Sequence, residues 1–156
     1  MNEGLIIAII IGISIASVPL IFAAIGELLV ERSGVLNLGV EGMMIVGALA
    51  GFVVEFHTGS SFLAVLAALL AGMAIASIFA FLTQILLTNH VATGLALTLF
   101  GLGISAFIGR GYSEENIELI SALHIPVLSD LPIVGPLLFS YNPLVYLAFS
   151  MVFLVW

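Results

Sequence analysis

From Gly4 to Gly26 the chain carries no ionisable residue, and this unbroken apolar run predicts a first helix over about residues 4–26. A crossing of about 30 Å of hydrocarbon takes roughly 20 helical residues, which the run supplies. Pro19 lies inside it and is expected to kink it, freeing a carbonyl that a neighbour must satisfy. Gly12 and Ala16 make a small-xxx-small step suited to close helix contact.

The polar positions then crowd together. Glu27, Glu31, Arg32, Asn37 and Glu41 all fall between Gly26 and Met44. The apolar run that follows, 43–54, is too short to span alone, and beginning a helix at Leu38 gives a workable span over about 38–55 that takes Glu41 with it. Two arrangements are open. In one, Ser33-Gly34 breaks the chain, Asn37 caps a new helix that crosses, and Glu41 sits in its first turn, where a carboxylate complements the helix dipole. In the other, residues 27–54 re-enter and return to their starting side. The crossing is preferred, because it puts Arg32 inside and the later acidic loop outside.

Residues 56–109 contain no Asp, Glu, Lys or Arg, a length that suits two spans. The break is expected at Thr88-Asn89-His90, giving helices over about 62–87 and 91–109 with Asn89 as the cap of the second. Along that second helix Gly94, Thr98, Gly101, Ser105 and Gly109 form a stripe of small residues. It reads as a packing face first and a solute-lining face second. Ser77 and Gln84 share a face of the preceding helix, where Gln84 is expected to bond another helix.

Next come Glu114, Glu115, Glu118 and Asp130 among Pro126, Pro132, Pro136 and Pro143. They predict an extracytoplasmic loop over about 110–143 with one short amphipathic helix near 114–123. A last apolar segment, 144–156, begins a helix that rises only about 20 Å, short of a crossing. The expectation is therefore that residues 1–156 are the N-terminal part of one transmembrane domain.

Composition narrows the class. Of 156 residues 63% are hydrophobic and 7% charged, with a mean hydropathy of +1.39. Soluble domains carry about 25% charged residues, so a polytopic membrane bundle is the expectation. Two basic residues against nine acids leave no footprint for nucleic acid. There is no cysteine, and His57, His90 and His124 are scattered, so neither a thiolate nor a histidine metal site is expected. No nucleophile–base pair or phosphate loop stands out, and no catalytic residue is expected. The string Gly101-Leu-Gly-Ile-Ser-Ala106 mimics a dinucleotide fingerprint, but it lies inside an apolar span rather than after a strand.

The candidate chemistry therefore sits in the polar stretch. Charge at bilayer mid-depth costs about 2.5–3.5 kcal/mol on insertion scales. Glu31, Arg32, Ser33 and Gly34 are expected to form a structural hinge, fixed by an interfacial ion pair among Glu31, Arg32 and Glu41. Glu27 is expected at the membrane edge. Asn37 and Glu41, with Thr93 and Thr98 on the fourth helix, are the candidates for a solute pathway, since half-helix ends recur at transporter sites.

The string Gly26-Glu-Leu-Leu-Val-Glu-Arg-Ser-Gly-Val-Leu-Asn-Leu-Gly-Val-Glu-Gly-Met-Met44 resembles the permease subunits of bacterial ABC importers. It is most similar to the simple-sugar and nucleoside branch, related to ribose and branched-chain amino acid permeases. Asn89-His-Val-Ala-Thr-Gly-Leu-Ala-Leu-Thr-Leu-Phe100 resembles the same branch, with His90 in place of its usual Gln. The resemblance implies an all-α bundle of the type II importer kind, truncated here, in the inner membrane of the cell. It implies partners: an ATP-binding subunit, a second permease subunit and an extracytoplasmic solute-binding protein. It also implies that ATP is used on the partner subunits, with no cofactor on this chain and no enzymatic activity of its own. The alternative from the residues alone is an ion- or proton-coupled secondary transporter with Glu41 as the coupling acid.

Overall fold

The computed structural model describes residues 3–117, 120–123, 135 and 138–155. Every regular element among them is helical. Five α-helices follow in order: α1 Glu3–Arg32, α2 Val40–Thr58, α3 Ser61–Ala80, α4 His90–Gly109 and α5 Pro143–Val155. A π-helical turn, Phe81–Ile85, prolongs α3, and a 3-10 turn, Arg110–Tyr112, prolongs α4. Among the described residues four spans are long and apolar enough to cross a membrane: Gly4–Arg32, Val40–Thr58, Ser61–Ile85 and His90–Tyr112. Their outer faces stay oily, with Leu99 69% and Phe107 85% exposed, as suits lipid rather than water.

Several boundaries differ from those read in the sequence. The first helix does not stop at Gly26 but continues through Pro19 and on to Arg32, because Leu28, Leu29 and Val30 keep the segment apolar between the acids. It ends where Gly34 takes a φ of 84°. The Val35 N–H then reaches back to the Val30 carbonyl at 3.4 Å and the Gly34 N–H to that of Glu31 at 2.9 Å. This is the Schellman pattern, which satisfies the last carbonyls of a helix. The second helix starts at Val40 rather than Leu38, and the third gives way to the π-turn before reaching 87. Residues 113–117 and 120–123 carry no helix, so the amphipathic helix expected near 114–123 is not found among them. Within the acidic loop Glu118, His124 and Asp130 fall outside the described residues.

The helices separate into two units, residues 1–26 with 119–156, and residues 27–118. In the first, Val18 of α1 packs with Tyr141, Val145 and Ala148 around α5. Asn142 caps α5 by accepting the Val145 N–H at 3.1 Å, just ahead of Pro143 at the first helical position.

In the second, α2 lies antiparallel to α3 and parallel to α4. A β-carbon built on Gly47 would meet the Ala68 carbonyl at 3.2 Å, and one on Gly51 would meet that of Ala64 at 3.3 Å. Contacts along α4 rise in the same direction as α2: Gly39 against Gly94, Gly42 against Gly101, then Leu49 against Gly109. Beyond them Phe52, Phe56 and His57 surround Tyr112, with ring centroids 5.4–6.1 Å apart and the His57 Nε2 to Tyr112 Oη distance 2.9 Å. Thus α2 accompanies α4 from its first turns to its end. A chain segment that turned back halfway could not do so, and this unit is an up-down-up arrangement of three helices. Its apolar core is Ile75, Phe79 and Leu97, with Val35, Met43 and Val46 packed on it.

Candidate functional site: a recessed helix break

Residues 33–39 join α1 to α2 as irregular backbone. In a bilayer such backbone survives only where protein satisfies it. Here three side chains do so. The Asn37 N–H donates to Glu27 Oε1 at 3.0 Å. The Gly39 N–H donates to Asn37 Oδ1 at 2.9 Å. Thr98 on α4 donates its hydroxyl to the Leu38 carbonyl at 3.0 Å. Asn37 is 7% exposed and Thr98 9%, so these bonds are sheltered. The Asn37 Nδ2 also reaches Met43 Sδ at 3.7 Å.

The break is set below the end of α4. Gly94 and Thr98 lie about 6 and 12 Å along α4 from His90, at 1.5 Å per residue. The approach depends on glycine on both sides. A β-carbon on Gly94 would sit 2.8 Å from the Gly39 nitrogen, and one on Gly42 would sit 2.5 Å from the Leu97 carbonyl oxygen. Neither could be accommodated without moving backbone. The first turn of α2, with its free N–H groups and positive dipole end, is thereby held beside the inner part of α4.

Asn37 and Thr98 are brought together at one peptide, that of Leu38. Glu41 and Thr93 are not. Glu41 is exposed in the first turn of α2 and bonds neither of them. Thr93 shares a 2.9 Å hydroxyl contact with Thr88 and lines a groove of about 560 Å³ with Ile78, Leu82, Ala96, Leu97 and Phe100. That groove is almost wholly apolar, which suits a hydrocarbon occupant better than a polar solute. The helix-capping role expected of Asn37 also changes. The N-cap of α2 is Gly39, and Asn37 instead closes a turn two residues earlier.

Of the expected hinge, Ser33 and Gly34 form the turn, with Ser33 Oγ donating to the Val30 carbonyl at 2.6 Å. Glu31, Arg32 and Glu41 are exposed, and among the described residues no ion pair joins them. The expected interfacial pair is therefore corrected: backbone turn chemistry, not charge, ends α1.

Sequence reasoning missed Glu27, set aside as a membrane-edge charge. It also missed Gly39 and Gly42 as partners of the Gly94–Gly101 stripe, although their small size was the available signal. Asn89 caps α4 as its spacing suggested, accepting the Ala92 N–H at 3.0 Å. Among the described residues no group of three metal-ligating side chains converges.

Comparison with known proteins gives these elements a family. Residues 9–156 match the family described as branched-chain amino acid transport system, permease component. A putative glucose ABC transporter permease protein of Haloferax volcanii is 44% identical over 145 residues, covering 90% of this chain and 44% of that protein. A nucleoside ABC transporter permease protein of Lactococcus lactis is 32% identical over 153 residues, covering 91% of this chain and 48% of the relative. A guanosine ABC transporter permease protein of Bacillus subtilis is 32% identical over 152 residues, with 88% and 47% covered. The chain thus spans somewhat under half the length of these curated relatives. No solved structure matches it. With its match running through nearly every helix and four membrane-length spans in place, the chain belongs to the branched-chain amino acid transport system permease family, a multi-pass protein of the cell membrane.

Proposed function

We propose that this chain is the N-terminal part of a permease subunit of an ABC importer, carrying a small polar solute of the sugar or nucleoside class. The observation that carries the reading is the similarity over 88–91% of the chain to permeases named for glucose, nucleosides and guanosine. In this reading an ATP-binding subunit hydrolyses ATP and drives the cycle. A second permease subunit completes the pathway, and an extracytoplasmic solute-binding protein delivers the solute. Asn37, Thr98 and the first turn of α2 with Glu41 border the pathway, and Thr93 lies nearer the start of α4.

The physical support is the recessed break. A helix that begins partway along its neighbour presents unpaired N–H groups within the protein, where a polar solute can exchange water for them. The family match favours ATP-driven import over coupling to a proton gradient through Glu41. Uptake of labelled glucose and guanosine by vesicles holding the full-length permease with its ATP-binding subunit tests this. Uptake that requires ATP and survives collapse of the proton gradient supports the proposal. Uptake that proceeds without ATP but fails with the gradient sinks it.

A further inference from the structure

We infer that Glu27 is a positioning residue: its carboxylate acts as a hydrogen-bond acceptor that holds the α1–α2 break against α4. The inference rests on the reading that this break borders the solute pathway. Four observations lead to it.

First, Glu27 is helical, on the last turns of α1, and partly buried against the protein. Second, its Oε1 accepts the Asn37 backbone N–H at 3.0 Å across the Ser33-Gly34 turn. A backbone donor inside irregular structure has no helical partner of its own, and leaving it unmet is costly. Third, Asn37 passes the constraint on, since its Oδ1 fixes the Gly39 N–H and Thr98 fixes the intervening Leu38 carbonyl. Residues 37–39 are thus pinned from α1 on one side and α4 on the other. Fourth, the second oxygen, Oε2, is buried and has no hydrogen-bond partner among the described residues. No basic group among those residues pairs with it, and Arg32 is exposed. The side chain is therefore used for the reach and acceptor power of one oxygen, not as half of an ion pair.

Two substitutions separate reach from charge. Glu27→Gln keeps the acceptor at the same reach and removes the charge. Glu27→Asp keeps the charge and withdraws the oxygen by one methylene. The readout is the labelling rate of a cysteine at Val35, which is partly buried against the Ile75–Phe79–Leu97 core. Residues 1–156 contain no cysteine, so the probe is unique in a full-length permease with any later cysteines replaced.

With a water-soluble maleimide, Glu27→Gln should label within about twofold of the parent, and Glu27→Asp about tenfold faster or more, as leaving the Asn37 N–H without its acceptor permits. A cysteine at Leu97 should stay protected in both, which shows that the core is intact. Any other pattern overturns the inference: both variants like the parent, both fast, or Gln fast and Asp slow. Uptake is measured on the same vesicles and should fall only in the Asp variant. If labelling follows the expected pattern while uptake is unchanged, the positioning role stands and the pathway reading fails.

Discussion

Thr98 and Leu38 are 60 residues apart in sequence and joined by one hydrogen bond of 3.0 Å, from the threonine hydroxyl to the leucine carbonyl. That carbonyl belongs to the irregular backbone ahead of α2, and the hydroxyl lies within α4. The bond fixes where one helix begins against the side of another.

Thr98→Val keeps the shape of the side chain and removes the donor. The Leu38 carbonyl is then left unmet in a sheltered place, at a cost of about 1–3 kcal/mol. A lower unfolding temperature in detergent is expected, with Thr98→Ser close to the parent. Equal temperatures for Val and Ser would show that the bond contributes nothing.

Glycine contacts between α2 and α4 should be intolerant of a single methyl group. Gly42→Ala sets a β-carbon 2.5 Å from the Leu97 carbonyl oxygen, whereas nothing lies within 4 Å of one built on Gly72. Gly42→Ala is expected to destabilise by about 1–3 kcal/mol through overpacking. Gly72→Ala should stabilise by about 0.5–1 kcal/mol, because alanine loses less backbone freedom in a helix. The two opposite shifts, read by the same thermal melt, test the close approach directly.

Leu87 takes a left-handed φ of 53° at the end of the π-turn, with its side chain 81% exposed. A β-carbon in that conformation costs roughly 1–2 kcal/mol, and little packing is present to offset it. Leu87→Gly should therefore raise the unfolding temperature, an unusual direction for leucine to glycine. A fall would mean that the exposed side chain makes contacts with partner chains or lipid that outweigh the strain.

Asn37→Ala and Glu41→Gln should both lower uptake in the full-length permease, but for different reasons. Asn37 is part of the buried turn, so its alanine variant is expected to lose membrane abundance as well, while Asn37→Asp, which keeps the acceptor for the Gly39 N–H, should retain it. Glu41 is exposed and bonds neither neighbour, so its glutamine variant should keep normal abundance. Immunoblots of membrane fractions beside initial uptake rates separate the two.

The all-helical fold was legible because charge is so rare. Long stretches without an ionisable residue mark the helices, and Ser33-Gly34 and Asn89 mark two of their ends by known turn and cap chemistry. The family was legible in the polar string itself. What the string did not reveal was which of its members would be used, because that depends on contacts across space. Glu27 acquires its partner ten residues on, only after a turn that reverses the chain. Glu31 and Arg32, adjacent and opposite in charge, invited an ion pair that helix geometry does not make, since neighbouring positions point to different sides. The π-turn at 81–85 had no signal in composition. Within it Thr83 is buried and donates its hydroxyl to the Phe79 carbonyl at 2.8 Å.

The central claim is that the break before α2 opens on an aqueous solute pathway. Accessibility of a cysteine at position 41, in the full-length permease with its ATP-binding subunit, measures this most directly. If the claim holds, a charged, membrane-impermeant thiol reagent modifies Glu41→Cys and blocks uptake, and transported solute slows the modification. Modification only by lipid-soluble reagents, or at a rate that solute leaves unchanged, would contradict it.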